Sequence, residues 1–504
     1  MDNIEISLDN NNHYSRSNRN DSEFNHEKIT VSLIDKMRML FWSIFISCIS
    51  VGVPIFTGLS NTIQSQNLMA AFSLSHNVLP YSMIQVNGGF LYYVILAIAY
   101  HFGSLLWVIP FFTLTLYLSS IYLYKIVYFF TKHYSFATVI CLLFYLFNLC
   151  IGFGGFYPVQ FGMPFFLIGL FYLLRYFYLS SSDEIFITYG FMMTLALFFE
   201  PSFLIFDLIA FVILIGFNLY HKRIGRGIYQ FLCLVFGVLV IGYIVGYFLF
   251  NMQILSTYVQ QTIFETLLGY SFGNASLWQT ALFQFVVLLI SGVVLATFYG
   301  IKNLFNTKFQ FANLLLVVSL IIYAFRICLV RDYQVYHVLE IFPITVILLA
   351  INRSQETIDM TGDNFFFEFF SKHLYLPVIL LLFGLLQPVM DYFMTSSYHN
   401  DRVVLSTYLK RYLNSKDNIY VWDNRADLYV MTNSHASTKF SIPVIFVSKD
   451  NKKLLEDNLL AQENKYIVVN DSVPVASAVK KLLDKNYKLV SVRGVSHFKL
   501  YLLK

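Results

Sequence analysis

The chain has 504 residues, of which 57% are hydrophobic and 18% aromatic, while only 12% are charged. A soluble protein carries about a quarter charged residues, so a chain built only of soluble domains is excluded. The formal net charge of +5 says little by itself, because the placement of charge matters more than its total, and no nucleic-acid partner is expected.

The first 37 residues are polar and Asn-rich (NNNHYSRSNRN) and read as a disordered cytoplasmic tail rather than a signal peptide. From there the sequence reads as a polytopic α-helical membrane domain over 38–396. About eleven apolar stretches approach the ~20 residues that cross a hydrocarbon core. They fall near 39–57, 104–124, 134–152, 162–179, 185–200, 202–220, 227–250, 277–300, 311–329, 336–351 and 373–392. All five cysteines (Cys48, Cys141, Cys150, Cys233, Cys328) lie inside these stretches, so neither a disulfide framework nor a thiolate metal site is expected.

Lys and Arg divide cleanly between the connections. Lys36, Arg38, Lys125, Lys132, Arg175, Lys222, Arg223, Arg226, Lys302, Lys308, Arg353 and Lys372 fall on one side, while 58–103, 153–161 and 251–276 carry none. The positive-inside rule then puts the N-terminus in the cytoplasm and, with an odd span count, the C-terminus outside.

The first outer loop, 58–103, is long and polar, yet no Asp or Glu occurs between Lys36 and Ser182. Asn61, Gln64 and Asn87 are its candidate acceptor-positioning amides; amides orient a sugar or phosphate but cannot take a proton. His76 can take one. The spacing of Ile63, Leu68, Ala71 and Phe72 predicts an amphipathic helix lying at the interface over 61–74. After Gly88-Gly89 comes FLYYVILAIAY, short for a span.

From about 397 the composition becomes that of a soluble domain. β-rich runs at 418–422, 442–447, 465–470, 487–493 and 497–503 alternate with helical patterns at 402–413, 451–461 and 474–485. The alternation predicts an extracytoplasmic α/β domain over 397–504, with a partly parallel sheet and an antiparallel final hairpin. It shows no nucleotide or metal motif and reads as a lid or docking module.

Few charged residues sit where chemistry needs them. Arg331, in RDYQVYH, is the one Lys or Arg on the outer side of the membrane region, and Arg326 lies about one helical turn deeper. A guanidinium inside a span is costly unless paired or solvated, and its fork suits phosphate oxygens. The two arginines either bind an anion or pair with Asp332, Glu340 or Asp207. Outer carboxylates are Glu200 in FFEPS, Glu265 and Asp332; each is a candidate base, an ion-pair partner or a solvated charge.

Four features together resemble the bacterial GT-C glycosyltransferases that use polyprenyl-phosphate sugars, the group of protein mannosyltransferases and aminoarabinose transferases. They are the long outer loop with NVLPYSMIQVNGGFLYY, the segment RDYQVYHVLEIFP, the opening NIYVWDNRADLYVMTNSHASTKF of the C-terminal domain, and the span count and orientation. In that family a first-loop aspartate acts as base; the corresponding stretch here offers Asn61 and Gln64. The resemblance implies a bacterial plasma-membrane protein that takes a sugar from a polyprenyl-phosphate donor and places it on a cell-envelope glycan. Arg331, Arg326, His337 and Tyr333 would hold the donor phosphate, with Glu200 or Glu265 as substitute base. No cofactor is expected, and no residue pattern supports a divalent metal. A second reading is a catalytically inactive relative that binds glycan or lipid carrier beside a partner transferase or flippase. A third, a transporter, is disfavoured because no inverted repeat is visible.

Overall fold

The computed structural model describes residues 29–504 apart from 59, 154, 180–181, 266–275, 306–308, 332, 354–374, 415–416, 444–448 and 462–463. Most of the N-terminal tail, Asp332, residues 266–275 of the 251–276 connection and residues 444–447 of the 442–447 run therefore lie outside the described residues.

The membrane domain is a bundle of helices. Helix α1 (Leu33–Ser47) starts at Ser32, whose Oγ accepts from the Asp35 amide, and it continues through a π-helical turn and Val53–Thr57. The first loop supplies α2 (Thr62–Ser75) and α3 (Phe90–His101). There follow α4 (Val108–Thr131), α5 (Tyr134–Cys150), α6 (Pro158–Leu179), α7 (Ile185–Phe199), α8 (Phe203–Tyr220) and α9 (Ile224–Asn251). After a short helical segment at Leu255–Glu265 come α10 (Leu277–Ile290), α11 (Val293–Lys302), α12 (Gln310–Leu329) and α13 (Val338–Arg353).

Every predicted span therefore has a helix at its place, but the count of eleven is not borne out. Among the described residues six helices are long and apolar enough to cross, or seven if α10 and α11, bent by 67°, form one span. α3, α5, α7 and α13 are apolar but shorter. The reason is physical: hydropathy alone does not separate a full span from a shorter helix buried among neighbours.

One seam of small residues draws α7 and α9 together. At Gly190 of α7 a Cβ would overlap the Leu234 carbonyl of α9, and at Gly237 of α9 one would overlap the Ile187 carbonyl of α7. Small residues allow such backbone approach where lipid offers no hydrophobic drive to pack helices. Elsewhere aromatic rings stack across the bundle, as in Phe147 on Phe342 (3.9 Å) and Phe166 on Phe203 (4.6 Å).

A 38-residue helix, α14 (Tyr375–Tyr412), leads into the C-terminal domain. The sequence suggests a span at 373–392 and a separate helix at 402–413; instead the helix is continuous, because FMTSSYHND between them holds no Pro or Gly to end it. The domain follows as β1 (Ile419–Trp422), α15 (Asp427–Thr432), α16 (Lys449–Ala461), β2 (Tyr466–Asn470), α17 (Ser477–Asn486), β3 (Tyr487–Val490) and β4 (Phe498–Leu503). The sheet order is β1-β2-β4-β3, with β1 and β2 parallel and the β2/β4 and β3/β4 pairs antiparallel. Strand alternation gives it two buried faces. Ile419, Val421, Tyr466 and Val468 share a core with Leu405 and Leu409 of α14, while Tyr420, Trp422, Ile467 and Val469 pack on Leu455, Leu459, Val479 and Leu483.

Candidate functional site at the first outer loop

The first loop is held by its own amides. Asn61 caps α2: its Oδ1 accepts from the Gln64 amide (2.9 Å), and Gln64 Oε1 accepts from the Asn61 amide (3.1 Å). Asn61 Nδ2 also donates to the Tyr157 hydroxyl (2.6 Å), and Gln64 Nε2 donates to the Phe153 carbonyl (2.6 Å). Gln64, Ser65, Gln66 and Asn67 are all buried, so α2 is not an interfacial amphipathic helix but an element enclosed on its polar side as well. The apolar spacing is real; what the sequence hides is that the C-terminal domain covers the other face. The Ala426 amide donates to Ser65 Oγ (3.1 Å) and the Gln85 amide to the Lys439 carbonyl (2.9 Å).

At the N-terminal end of α2 lies a cavity of about 230 Å³. Its walls come from three parts of the chain: Ser60, Asn61, Thr62 and Gln64 from the loop; Cys150, Ile151, Phe153, Tyr157, Gln334, Val335 and Tyr336 from the bundle; and Thr395, Asn424 and Arg425 from α14 and the C-terminal domain. Tyr157 and Tyr336 stack at 4.6 Å. Arg425 is buried, donates through Nη2 to the Gly58 carbonyl (2.6 Å) and to Ser60 Oγ (2.7 Å), and pairs with Asp427 (2.7 Å). Ser60 Oγ in turn donates to Asp427 Oδ1 (3.1 Å).

Glu200 occupies the turn between α7 and α8, which Pro201 opens. The Ser202 amide donates to its Oε1 (3.2 Å), and the Tyr323 hydroxyl donates to the Ser202 carbonyl (3.0 Å). The Gly89 amide fastens the first loop to this turn by donating to the Phe199 carbonyl (3.0 Å). The approach is so close that a Cβ on Gly89 would overlap the Phe198 carbonyl. The turn thus brings Glu200 within electrostatic reach of Tyr92 and Tyr93 at the start of α3.

The remaining candidates are distributed as follows. Glu265 accepts from Gln85 Nε2 (2.7 Å), so it too is tied to the first loop. Asn61 and Gln64 line the cavity, whereas Asn87 lies part-buried two residues before Gly89 and outside that lining. Arg326 pairs with Glu340 at 3.1 Å. Arg331 is part-buried, and its enclosed Nε has no hydrogen-bond partner among the described residues. His337 lies tilted against Tyr336 (4.2 Å), while Tyr333 is exposed and packs edge-on against Phe283. His76 is bonded through Nδ1 to the Phe72 carbonyl (3.0 Å) and faces His435 rather than the cavity. Among the described residues no group of His, Cys, Asp and Glu is placed to hold a metal.

Sequence reasoning misses Arg425, Asp427 and Asn424. Their one signal is the cluster of charges in DNRAD after an apolar strand, a pattern equally expected of a surface turn. Tyr157 and Tyr336 read from sequence as ordinary interfacial aromatics.

Residues 24–396 match the N-terminal domain, and residues 399–504 the C-terminal domain, of the family of competence-induced protein Ccs4. No curated protein matches the sequence. Among solved structures, the chain is similar to ArnT from Cupriavidus metallidurans bound to undecaprenyl phosphate. That likeness has a TM-score of 0.57 and 9% identity, covering 93% of this chain and 97% of the other. The apo state of the same protein aligns over the same shares with a TM-score of 0.48 and 9% identity. At this identity the likeness shows the fold alone: a polytopic GT-C membrane domain followed by a small α/β domain.

Proposed function

The chain belongs to the family of competence-induced protein Ccs4, and we propose that it works as a GT-C glycosyltransferase-like membrane protein that moves a sugar from a polyprenyl-phosphate donor to a cell-envelope glycan. The observation that carries this is the fastening of the Glu200 turn to the first loop through Gly89 and Phe199. A loop without a carboxylate of its own thereby has the Glu200 turn held against it.

The step balances simply. An acceptor hydroxyl oxygen bonds to the anomeric carbon and passes its proton to Glu200, while the bond from that carbon to the phosphate oxygen breaks. The polyprenyl phosphate leaves with the bonding electron pair, its charge stabilised by Arg331, whose enclosed Nε makes no hydrogen bond to a described residue. That the structural neighbour was solved with undecaprenyl phosphate supports the lipid-phosphate ligand. The Lys and Arg distribution supports a cytoplasmic N-terminus, with the loop and C-terminal domain on the outer face of a bacterial plasma membrane.

The second reading, a binding partner without transfer activity beside another transferase or flippase, draws on Arg326. Its guanidinium is engaged by Glu340, which leaves Arg331 alone of the two for phosphate. Glu200→Gln and Arg331→Ala separate the two readings in an assay of transfer from an undecaprenyl-phosphate-linked sugar, with surface glycan composition read in cells. Loss of the base is expected to lower transfer by about 10²–10⁴. Unchanged transfer and unchanged glycan in both variants would sink the transferase reading; lipid binding without transfer in the parent protein would establish the second.

A further inference from the structure

The polar cavity at the start of α2 is open-sided without the C-terminal domain, which supplies Asn424 and Arg425 to its wall. Arg425 reaches 367 residues back along the chain to bond the Gly58 carbonyl and Ser60. A buried guanidinium is costly to place at a domain junction unless its bonds are all used. Here Nη2 serves the loop and Nε lies 2.7 Å from the Asp427 carboxylate, yet that enclosed Nε makes no hydrogen bond to a described residue, so the donors of the fork are not all used.

The lining defines the ligand chemistry. Because Arg425 is balanced by Asp427, the pair presents no net charge, which disfavours a phosphate or a carboxylate as the occupant. What remains is a dense set of neutral donors and acceptors around a stacked pair of phenols, suited to hydroxyl groups projecting from an apolar ring. The volume of about 230 Å³ falls below the ~300–1,000 Å³ of drug-sized ligand sites, so it admits one ring and not an oligosaccharide.

We propose that this cavity is the sugar subsite and that the C-terminal domain completes it, with Arg425 as a sugar-binding residue donating from its guanidinium to a ring hydroxyl. The proposal rests on the lipid-linked-sugar reading above and adds a role for the domain that reading leaves open. It assigns the sugar and the phosphate to different arginines, Arg425 and Arg331.

The test uses the full chain in lipid nanodiscs. Binding is measured for bare undecaprenyl phosphate and for the carrier bearing glucose, galactose or N-acetylglucosamine through its phosphate. The parent protein should bind at least one sugar-bearing carrier about tenfold or more tightly than the bare one, the scale of a hydrogen bond to a charged donor. Arg425→Gln should abolish that preference while leaving affinity for the bare carrier within about twofold. A purely structural role for Arg425 would weaken both ligands alike and so contradict the proposal. Should Arg425→Gln fail to fold, Arg425→Lys and Asn424→Ala decide the question, both expected to shrink the preference. A preference that survives in the folded variants, or is absent from the parent protein, overturns the sugar subsite alone. Failure of the parent protein to bind any of the four lipids overturns this proposal together with the functional reading beneath it.

Discussion

Asp423 and Arg402 show how the C-terminal domain fixes its own geometry near the cavity. Arg402 donates through Nε (2.8 Å) and Nη2 (3.0 Å) to the Asp423 carboxylate, which also accepts from Asn470 Nδ2 (2.6 Å), and both side chains are almost fully buried. Arg402 Nη2 further reaches Asn424 Oδ1 (3.3 Å), one residue from Arg425, so this pair sets the turn that enters the cavity. Removing one partner strands a buried charge. Asp423→Ala is therefore expected to cost about 3–5 kcal/mol, read as a fall in thermal unfolding temperature. The double change Arg402→Met with Asp423→Leu, which strands no charge, should cost less; equal losses would mean the effect is one of shape. None of this is legible in the sequence. Asp423 and Arg402 are 21 residues apart and Arg425 and Gly58 are 367 apart, and no local pattern records such pairings. Glu200 is legible, because a carboxylate before Pro in an apolar stretch demands a partner or water wherever it lies.

At the scale of elements, the position of Glu200 depends on how α7 sits against its neighbours. The Gly190 and Gly237 seam brings α7 and α9 into backbone contact, and α7 ends at the Glu200 turn. Gly237→Val would force the helices apart, at a cost of about 1–3 kcal/mol or more. Because the displaced helix carries Glu200, transfer activity should fall further than stability alone predicts; a variant with lowered thermal stability but parental activity would show the seam to be structural only. Helix identity is the part of the fold most legible in the sequence, since apolar runs such as 202–220 and 311–329 declare themselves. Helix ends and fates are less so. α2 has the apolar spacing of a surface helix, yet its amides at Gln64 and Asn67 are buried. α14 runs through a compositional boundary because nothing in FMTSSYHND breaks a helix. For α2 the deciding partner, the C-terminal domain, lies hundreds of residues from the loop it covers.

For the molecule as a whole, the contact between the first loop and the C-terminal domain is built with histidines as well as with Arg425. His435 meets Ser73 Oγ through Nδ1 (3.3 Å) and lies against Phe72 and the His76 ring. Burial lowers its proton affinity below the ordinary value and the His76 charge adds to that. His399, against Gly58, is likewise lowered by burial, with Arg425 and Arg402 adding to the effect and Asp427 opposing it. Both groups therefore bind protons more readily when the domain is separated from the loop than when it is docked. Their contribution to docking is present above the ordinary histidine value of about 6.5 and is lost as pH falls from there through their lowered docked values. Hydrogen exchange across α2 and α15 should accordingly quicken between about pH 7.5 and 5.5, a unit either side of that value, after correction for the intrinsic pH dependence of exchange. His435→Gln together with His399→Gln, neither of which can gain a proton, should flatten that change. If the parent protein protects α2 equally at both values, the histidines do not couple docking to pH, and the two parts are held by bonds that cross between them, those of Arg425 to Gly58 and Ser60 and of Ala426 to Ser65 among them. If protection is lost in the parent but kept in the double variant, the completed cavity is a property of neutral and alkaline conditions, and sugar binding through Arg425 should weaken over the same interval.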